Sequence, residues 1–245
     1  MELPRAPRRV VSLVPSLTEA LAVTVPDRLV GATDWCTHPA GLDVARVRGT
    51  KNPDRAAIEA LAPDLVVANQ EENRRLDVDR LRAAGVPVWV TVIESVDQAL
   101  ASMRRLFDEV LDAGEPVWLT EAAAVWAEPA PESGLRVAVP VWRDPWMVVG
   151  ARTFTGDVLA RLGLGNVFAE SDDRYPAVAV DRIAAARPDV VVLPDEPYEF
   201  TADDGPEAFP GLRTALVSGR DLTWYGPSLG PARARLLEAI EGPPG

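Results

Sequence analysis

The chain has 245 residues, 47% of them hydrophobic and 25% charged, with a mean hydropathy of zero, which suffices for one large domain or two lobes with cores of their own. Its formal net charge of −12 repels phosphate backbones and anionic headgroups, so nucleic acid and membrane surfaces are poor partners, and the basic cluster Arg5, Arg8 and Arg9 is too short to change that. One cysteine, Cys36, forbids an intrachain disulfide, and one histidine, His38, removes most zinc, copper and non-haem iron chemistry, which needs several imidazoles or thiolates.

The opening MELPRAPRRVVSLVPS holds no apolar stretch between its arginines and the first strand, no small-residue cleavage site and no lipid-anchor cysteine. No apolar run approaches the roughly 20 residues that span a bilayer. The expectation is no membrane insertion, with a cytoplasmic location if Met1 is the native start and an extracytoplasmic one otherwise.

In chain order, residues 9–14 (RVVSLV) read as a short buried strand. Ser16 and Glu19 stand behind it at capping-box spacing, ahead of an apolar helical stretch. Residues 29–32 read as a second strand, 61–68 (LAPDLVVA) as a helix end, a turn and a third strand, and 86–92 (VPVWVTV) as a fourth, with a helix over 77–84 stopped by Gly85. From Ser95 to Ala127 apolar residues recur at helical spacing, Gly114-Glu115-Pro116 breaks the run into two pieces, and 127–134 is a loop. The second half brings a β-rich run over 135–142, a helix over 154–162 ended near Gly163, another over 179–186, a strand over 188–194 and a last helix over 231–241.

The chain repeats itself. Leu61-Ala-Pro-Asp-Leu-Val-Val-Ala68 parallels Ala186-Arg-Pro-Asp-Val-Val-Val-Leu193, and the shared aspartates, Asp64 and Asp189, are offset by 189 − 64 = 125 residues. A helix precedes each copy and acids follow it, Glu71 and Glu72, then Asp195 and Glu196. The fold class expected is α/β, with two similar α/β lobes joined by a long helical connector. The boundaries expected are 1–94 for the N-terminal lobe, 95–134 for the connector and 135–245 for the C-terminal lobe.

Several ordered motifs carry a resemblance. Val10-Val-Ser-Leu-Val-Pro-Ser-Leu-Thr-Glu19, Val30-Gly-Ala-Thr-Asp-Trp-Cys-Thr-His-Pro39, Gly49-Thr-Lys-Asn-Pro53 and Leu61-Ala-Pro-Asp-Leu65 are followed by Trp142-Arg-Asp-Pro-Trp146, Gly150, Gly163-Leu-Gly-Asn-Val-Phe168 and Arg187-Pro-Asp189. Together they resemble the cluster-III periplasmic binding proteins, the helical-backbone metal receptors for cobalamin and ferric siderophores. The resemblance implies a ligand cleft between two lobes, little hinge closure, and a solute-binding role served by an ABC permease. It also implies ligand-touching aromatics at Trp35, Trp146 and Tyr175, and a permease-docking acid at Asp181. The matching first-lobe position is Ala56, which lacks the acid.

The residues themselves point to the carboxyl ends of the strands, where open α/β sheets hold ligands. Trp35, Glu71, Glu72, Trp142, Arg143, Trp146, Asp195 and Glu196 all fall there, and tryptophan offers a flat face to a macrocycle or chelate. The plain alternative is that each Trp fills a core. His38 could serve as an axial ligand to a haem iron or corrinoid cobalt, or with Cys36 as a reactive pair. The alternative, a loop histidine beside a half-buried thiol, fits better because no second cluster supplies an orienting acid. Glu71 to Arg75 reads also as a solvated helix start, and Arg143 as a partner for Asp144. No nucleotide-binding loop or zinc-protease motif occurs. The expectation is therefore non-catalytic binding of a metal chelate of corrinoid, haem or siderophore type by Trp35, Trp142, Arg143, Trp146, Tyr175 and Glu71, with no cofactor required. The alternative is a cytoplasmic chelatase-like enzyme on the same scaffold.

Overall fold

A computed structural model describes residues 6–242, so Met1 and Arg5 lie outside the described residues. The chain divides into two compact units. One takes the chain up to Ile93, then Gln98–Thr120 and Tyr225–Pro227; the other takes Glu94–Asp97, Glu121–Trp224 and Ser228 onward.

The first unit is built on a parallel sheet of β1 (Val10–Ser12), β2 (Leu29–Ala32), β3 (Ala45–Arg46), β6 (Leu65–Asn69) and β7 (Val88–Thr91) in the order β3-β2-β1-β6-β7, with a small hairpin of β4 (Arg48–Gly49) and β5 (Asn52–Pro53). β1 is wholly buried, and Val11 sits between Gly31 and Val66. A strand covered on both faces is nearly continuously apolar, which is why residues 10–14 carry no alternation; its one polar side chain, Ser12, is buried and donates to Val14 O. From β1 the chain winds outward to β2 and β3 on one side, then to β6 and β7 on the other. The wiring reverses between β1 and β6, the crevice where doubly wound sheets bind ligands. Helices α1 (Pro15–Thr24), α2 (Arg55–Ala60) and α3 (Arg75–Ala83) connect these strands, and the core gathers Val11, Leu13, Ile58, Val66, Val78 and Leu81.

Helix α1 departs from its expected start. Its N-cap is Val14, with no side-chain cap and with Pro15 in the first turn, and Ser16 and Glu19 are buried within the helix. Proline has no N–H to satisfy there and its fixed φ suits the first turn, so the capping box is not used.

The stretch expected to be helical forms two pieces. α4 (Val96–Arg104) continues into a π-turn over Arg105–Val110, and α5 (Val117–Val125) follows the break. These helices are shared out between the two units.

The second unit's sheet is again parallel, in the order β11-β8-β12-β13, from β8 (Arg136–Ala138), β11 (Gly165–Asn166), β12 (Val190–Pro194) and β13 (Arg213–Val217). Residues 135–142 are not one strand. β8 ends at Ala138, Val139 interrupts the run, and β9 (Pro140–Trp142) pairs antiparallel with β10 (Met147–Val148). Helices α6 (Phe154–Arg161), α7 (Val180–Ala185), α8 (Gly219–Thr223) and α9 (Leu229–Glu241) complete the unit. Its core gathers Ala138, Val148, Ile183, Val191, Leu193, Phe200 and Phe209. Wiring reverses here between β8 and β12. No described helix is long and apolar enough to cross a membrane.

The internal repeat has a physical basis. The Asp64 carboxylate accepts the backbone N–H groups of Arg8 and Arg9 at 2.9 and 3.1 Å, and the Arg9 guanidinium returns to the carbonyl of Leu61. In the other unit Asp189 accepts the N–H of Arg136 at 2.7 Å, and the Arg136 guanidinium donates to the carbonyls of Ala186 and Arg187. Ala62 and Arg187 both have positive φ, +44° and +51°, and 187 − 62 is again 125. The Pro-Asp turn therefore locks the end of a helix to the start of the first strand of its own sheet.

Candidate functional site

In the first unit three loops meet at the carboxyl edge of the sheet. The loop after β2 is anchored from beneath. The Arg46 guanidinium donates to the carbonyls of Thr33, Cys36 and Leu42 at 2.9–3.0 Å. The Cys36 side chain is buried and receives the Thr18 hydroxyl at 2.9 Å, with Thr33 Oγ1 at 3.1 Å. Burial pushes this thiol up from its usual range, against the hydrogen bonds from Thr18 and Thr33, which works against the thiolate that metal or nucleophilic chemistry needs. With its backbone held, the loop leaves the Trp35 indole 68% exposed. Its Nε1 edge lies against Gly49 of the β4–β5 hairpin, 3.3 Å from where a Cβ would stand.

The loop after β6 is shaped by two buried asparagines. Asn69 Oδ1 accepts the N–H groups of Glu71 and Glu72, and Asn73 Oδ1 accepts the N–H of Asn69 at 2.9 Å. Asn73 Nδ2 reaches Leu13 O, just beyond β1, and Thr50 O at the hairpin tip. These bonds span the two sides of the switch point. They also correct the reading of Glu71 to Arg75 as a helix start, since α3 begins only at Arg75 and the glutamates sit in the preceding turn, Glu71 exposed. His38 is half-buried with Nδ1 3.2 Å from the Thr37 hydroxyl. Among the described residues no three His, Cys, Asp or Glu side chains gather as a metal site.

Tyr225, in the segment Tyr225–Pro227 that joins this unit, is buried with its hydroxyl against Ser16 and Thr91. Burial and the nearby Glu72 charge hold its proton well above the usual phenol range, so the ring acts as a neutral brace.

In the second unit Trp142, Arg143 and Trp146 come together on the β9–β10 hairpin. Trp142 is 44% exposed and meets Tyr198 edge-on at 5.8 Å. Arg143 pairs with Asp204 and, at 2.6 Å, with Glu207, not with Asp144 as its sequence neighbour suggested. The guanidinium holds the Glu207 carboxylate below its usual range and lies 5.3 Å over the Trp146 ring. Tyr198 donates to Asp204 at 2.7 Å. Trp146 itself is half-buried, stacked on Phe200 at 5.7 Å and edge-on to Phe209 at 5.3 Å, part of this unit's core wall. Trp146 thus takes part in this unit's core, the plain alternative for each tryptophan, with part of its surface still open. Tyr175 is half-buried on a loop zipped along β10, where Val148 N donates to Pro176 O and Gly150 N to Arg174 O.

Sequence reasoning placed Glu196 at a strand end but did not single it out. It follows β12, and its carboxyl is pushed up to about 7 by burial first and the neighbouring Asp195 second, opposed by a hydrogen bond from Trp224 and the charge of Arg220. Asp195 accepts the Gly219 N–H at 2.6 Å, and any Cβ on Gly219 would lie 2.3 Å from Glu196 Cγ. Elsewhere in this unit a cavity of about 230 Å³ is lined by Glu94, Arg152, Thr153, Asp157 and Asn166. It has no aromatic wall and falls short of the roughly 300–1,000 Å³ usual for ligand sites.

A family model described as "Periplasmic binding protein" matches residues 10–209. The vitamin B12-binding protein of Salmonella typhimurium (strain LT2) is 29% identical over 192 residues, covering 76% of this chain and 71% of its own, and that of Vibrio parahaemolyticus serotype O3:K6 is 25% identical over 229 residues, covering 88% and 82%. Among solved structures, the periplasmic haem-binding protein RhuT of Roseiflexus sp. RS-1 in apo form superposes with a TM-score of 0.78 at 23% identity, over 95% of this chain and 97% of that one. The periplasmic vitamin B12-binding protein BtuF of Vibrio cholerae superposes with a TM-score of 0.77 at 17% identity, over 97% and 98%. These likenesses bear out the two-lobed helical-backbone fold and the non-catalytic role expected of it, and none supports the chelatase-like alternative. They favour the extracytoplasmic location over the cytoplasmic one. The chain belongs to the periplasmic binding protein family, as a ligand-binding protein and not an enzyme.

Proposed function

We propose that the chain captures a planar metal chelate, a corrinoid or a haem before a siderophore, and that it works outside the cytoplasm as the solute receptor of an ABC permease. The observation that carries this reading is the Trp35 indole, left 68% exposed on a loop whose backbone is held by Arg46 and Cys36. A large apolar ring fixed in the open at the carboxyl edge of a parallel sheet costs solvation and returns it only when a flat partner covers it. Trp142, exposed at the other unit's hairpin, and the relatives named for vitamin B12 and haem support the same ligand class. Arg143 is already neutralised by two carboxylates, so its part is to brace Trp146. The test is to purify the protein from its native host, record absorbance and mass spectra of what accompanies it, and titrate the stripped protein with cyanocobalamin, haemin and a ferric siderophore. A corrin or Soret band, or saturable binding of one of the first two, is expected; binding of none of the three would overturn the reading.

A further inference from the structure

Lys51 is the only lysine in the sequence, and it occupies the two-residue tip, Thr50-Lys51, of the β4–β5 hairpin, where Gly49 pairs with Asn52. This is the hairpin whose Gly49 lies against the edge of the Trp35 indole. The tip is held in place at both residues. Asn73 Nδ2 donates to Thr50 O at 3.0 Å, and Lys51 Nζ donates to Glu71 O at 2.6 Å. An ammonium carries three donors, and a single carbonyl takes one of them.

The neighbouring cations are otherwise engaged. Arg48 pairs with Asp54 at 3.5 Å, and Arg46 is spent on three carbonyls. Lys51 has no carboxylate partner among the described residues, in a chain with 37 acidic and 25 basic side chains. An exposed cation without an ion-pair partner among the described residues, on the hairpin whose Gly49 lies against an exposed aromatic ring, fits a ligand with an apolar face and an anionic rim.

We infer that Lys51 is a specificity-determining residue, which receives a carboxylate substituent at the edge of the planar ligand lying on Trp35. The inference rests on the proposed function and deepens it, since it selects a carboxylate-bearing macrocycle over one whose side chains are all amides. The backbone bond to Glu71 pre-orients the ammonium, so little side-chain freedom is lost on binding, and a charge-assisted hydrogen bond forms that a neutral side chain cannot supply.

Haemin, with two carboxylates, its dimethyl ester, with none, and cyanocobalamin, with no free carboxylate, are the probes. Lys51→Met is expected to weaken haemin binding about 10- to 100-fold while Lys51→Arg keeps it within a few-fold. The dimethyl ester should bind wild type and Lys51→Met alike. Because there is one side-chain amine, acylation of the Lys51 peptide in the unmodified protein, followed by mass spectrometry, reports on this residue alone, and haemin should slow it. Equal haemin affinity in wild type and Lys51→Met, an equal loss for the ester, or acylation indifferent to haemin would each overturn the inference. An equal loss for the ester would reduce Lys51 to a strut of the hairpin. Binding of cyanocobalamin without haemin overturns this inference alone, and binding of no chelate overturns the proposed function with it.

Discussion

Two tryptophans that look alike in the sequence differ in what they hold up. Trp35 is exposed and its loop is secured without the ring, by Arg46 and the buried Cys36. Trp35→Ala should therefore weaken chelate binding by about 1–3 kcal/mol and shift folding stability by no more than about 0.5 kcal/mol. Trp146 stacks on Phe200 and Phe209, and Trp146→Ala should cost about 2–4 kcal/mol of stability, which urea denaturation of the two variants would resolve. Equal stability losses would show that Trp35 is also a core residue. Glu196 gives a pH signature of its own. Its folded carboxyl is raised to about 7 from an ordinary value near 4.5, so the fold prefers the protonated form. That contribution is fully present below about pH 4.5 and is lost as pH rises through 7, by about 3 kcal/mol at 1.36 kcal/mol per unit. Comparing wild type with Glu196→Gln in denaturant melts at pH 5 and pH 8.5 isolates it: the variant should lose less stability between the two. A parallel decline in both proteins would assign the pH dependence to other groups.

At the scale of elements, the Pro-Asp turn shows why some of the fold could be read from the chain. The carboxylate of Asp64 accepts two backbone amides and that of Asp189 one, so each is tied to a local geometry that repeats wherever the motif repeats. Asp64→Ala should cost about 1–2 kcal/mol and Asp189→Ala about 1 kcal/mol, measured by urea unfolding, with Asp64→Asn recovering part because its amide oxygen still accepts; no change in either Ala variant would make the motif incidental. The buried strands β1, β6 and β12 were legible because a strand covered on both faces is a run of apolar residues. β13 was not, because Arg213–Val217 is an edge strand with Arg213 and Leu216 exposed, and such a segment carries no continuous apolar signal. The two-residue strands β3, β4, β5, β10 and β11 exist through pairing with distant segments and have too few residues to show a period. The candidate site divides the same way. Trp35 and Trp142 announced themselves by residue type, whereas the partners of Arg143, Asp204 and Glu207, lie about 60 residues away and no local pattern marks them. Lys51 had a signal, its being the only lysine, but its meaning depends on the hairpin that carries it to Trp35.

For the molecule as a whole, the repeat bears on how it would meet a permease. Helices α2 and α7 stand in register across the 125-residue offset, so Ala56 and Asp181 are equivalent positions, since 181 − 56 = 125. Both are exposed, yet only the second unit presents an acid there. Asp181 lies in the first turn of α7 and no hydrogen bond of its side chain organises the fold around it. Its removal should cost only the few tenths of a kcal/mol that an acid gains at a helix start, and it should leave chelate affinity within about twofold because it belongs to no loop that carries Trp35 or Trp142. What it can supply is a charge for a basic surface on a membrane partner, and such rim charges act mainly on encounter rate and on salt dependence. Asp181→Asn is therefore expected to melt and bind ligand like wild type while slowing uptake into vesicles that carry the cognate permease, with the difference shrinking as salt screens the contact. Restoring an acid at the equivalent place, Ala56→Glu, should raise that uptake above wild type. Uptake indifferent to both substitutions would show that Asp181 is no docking charge.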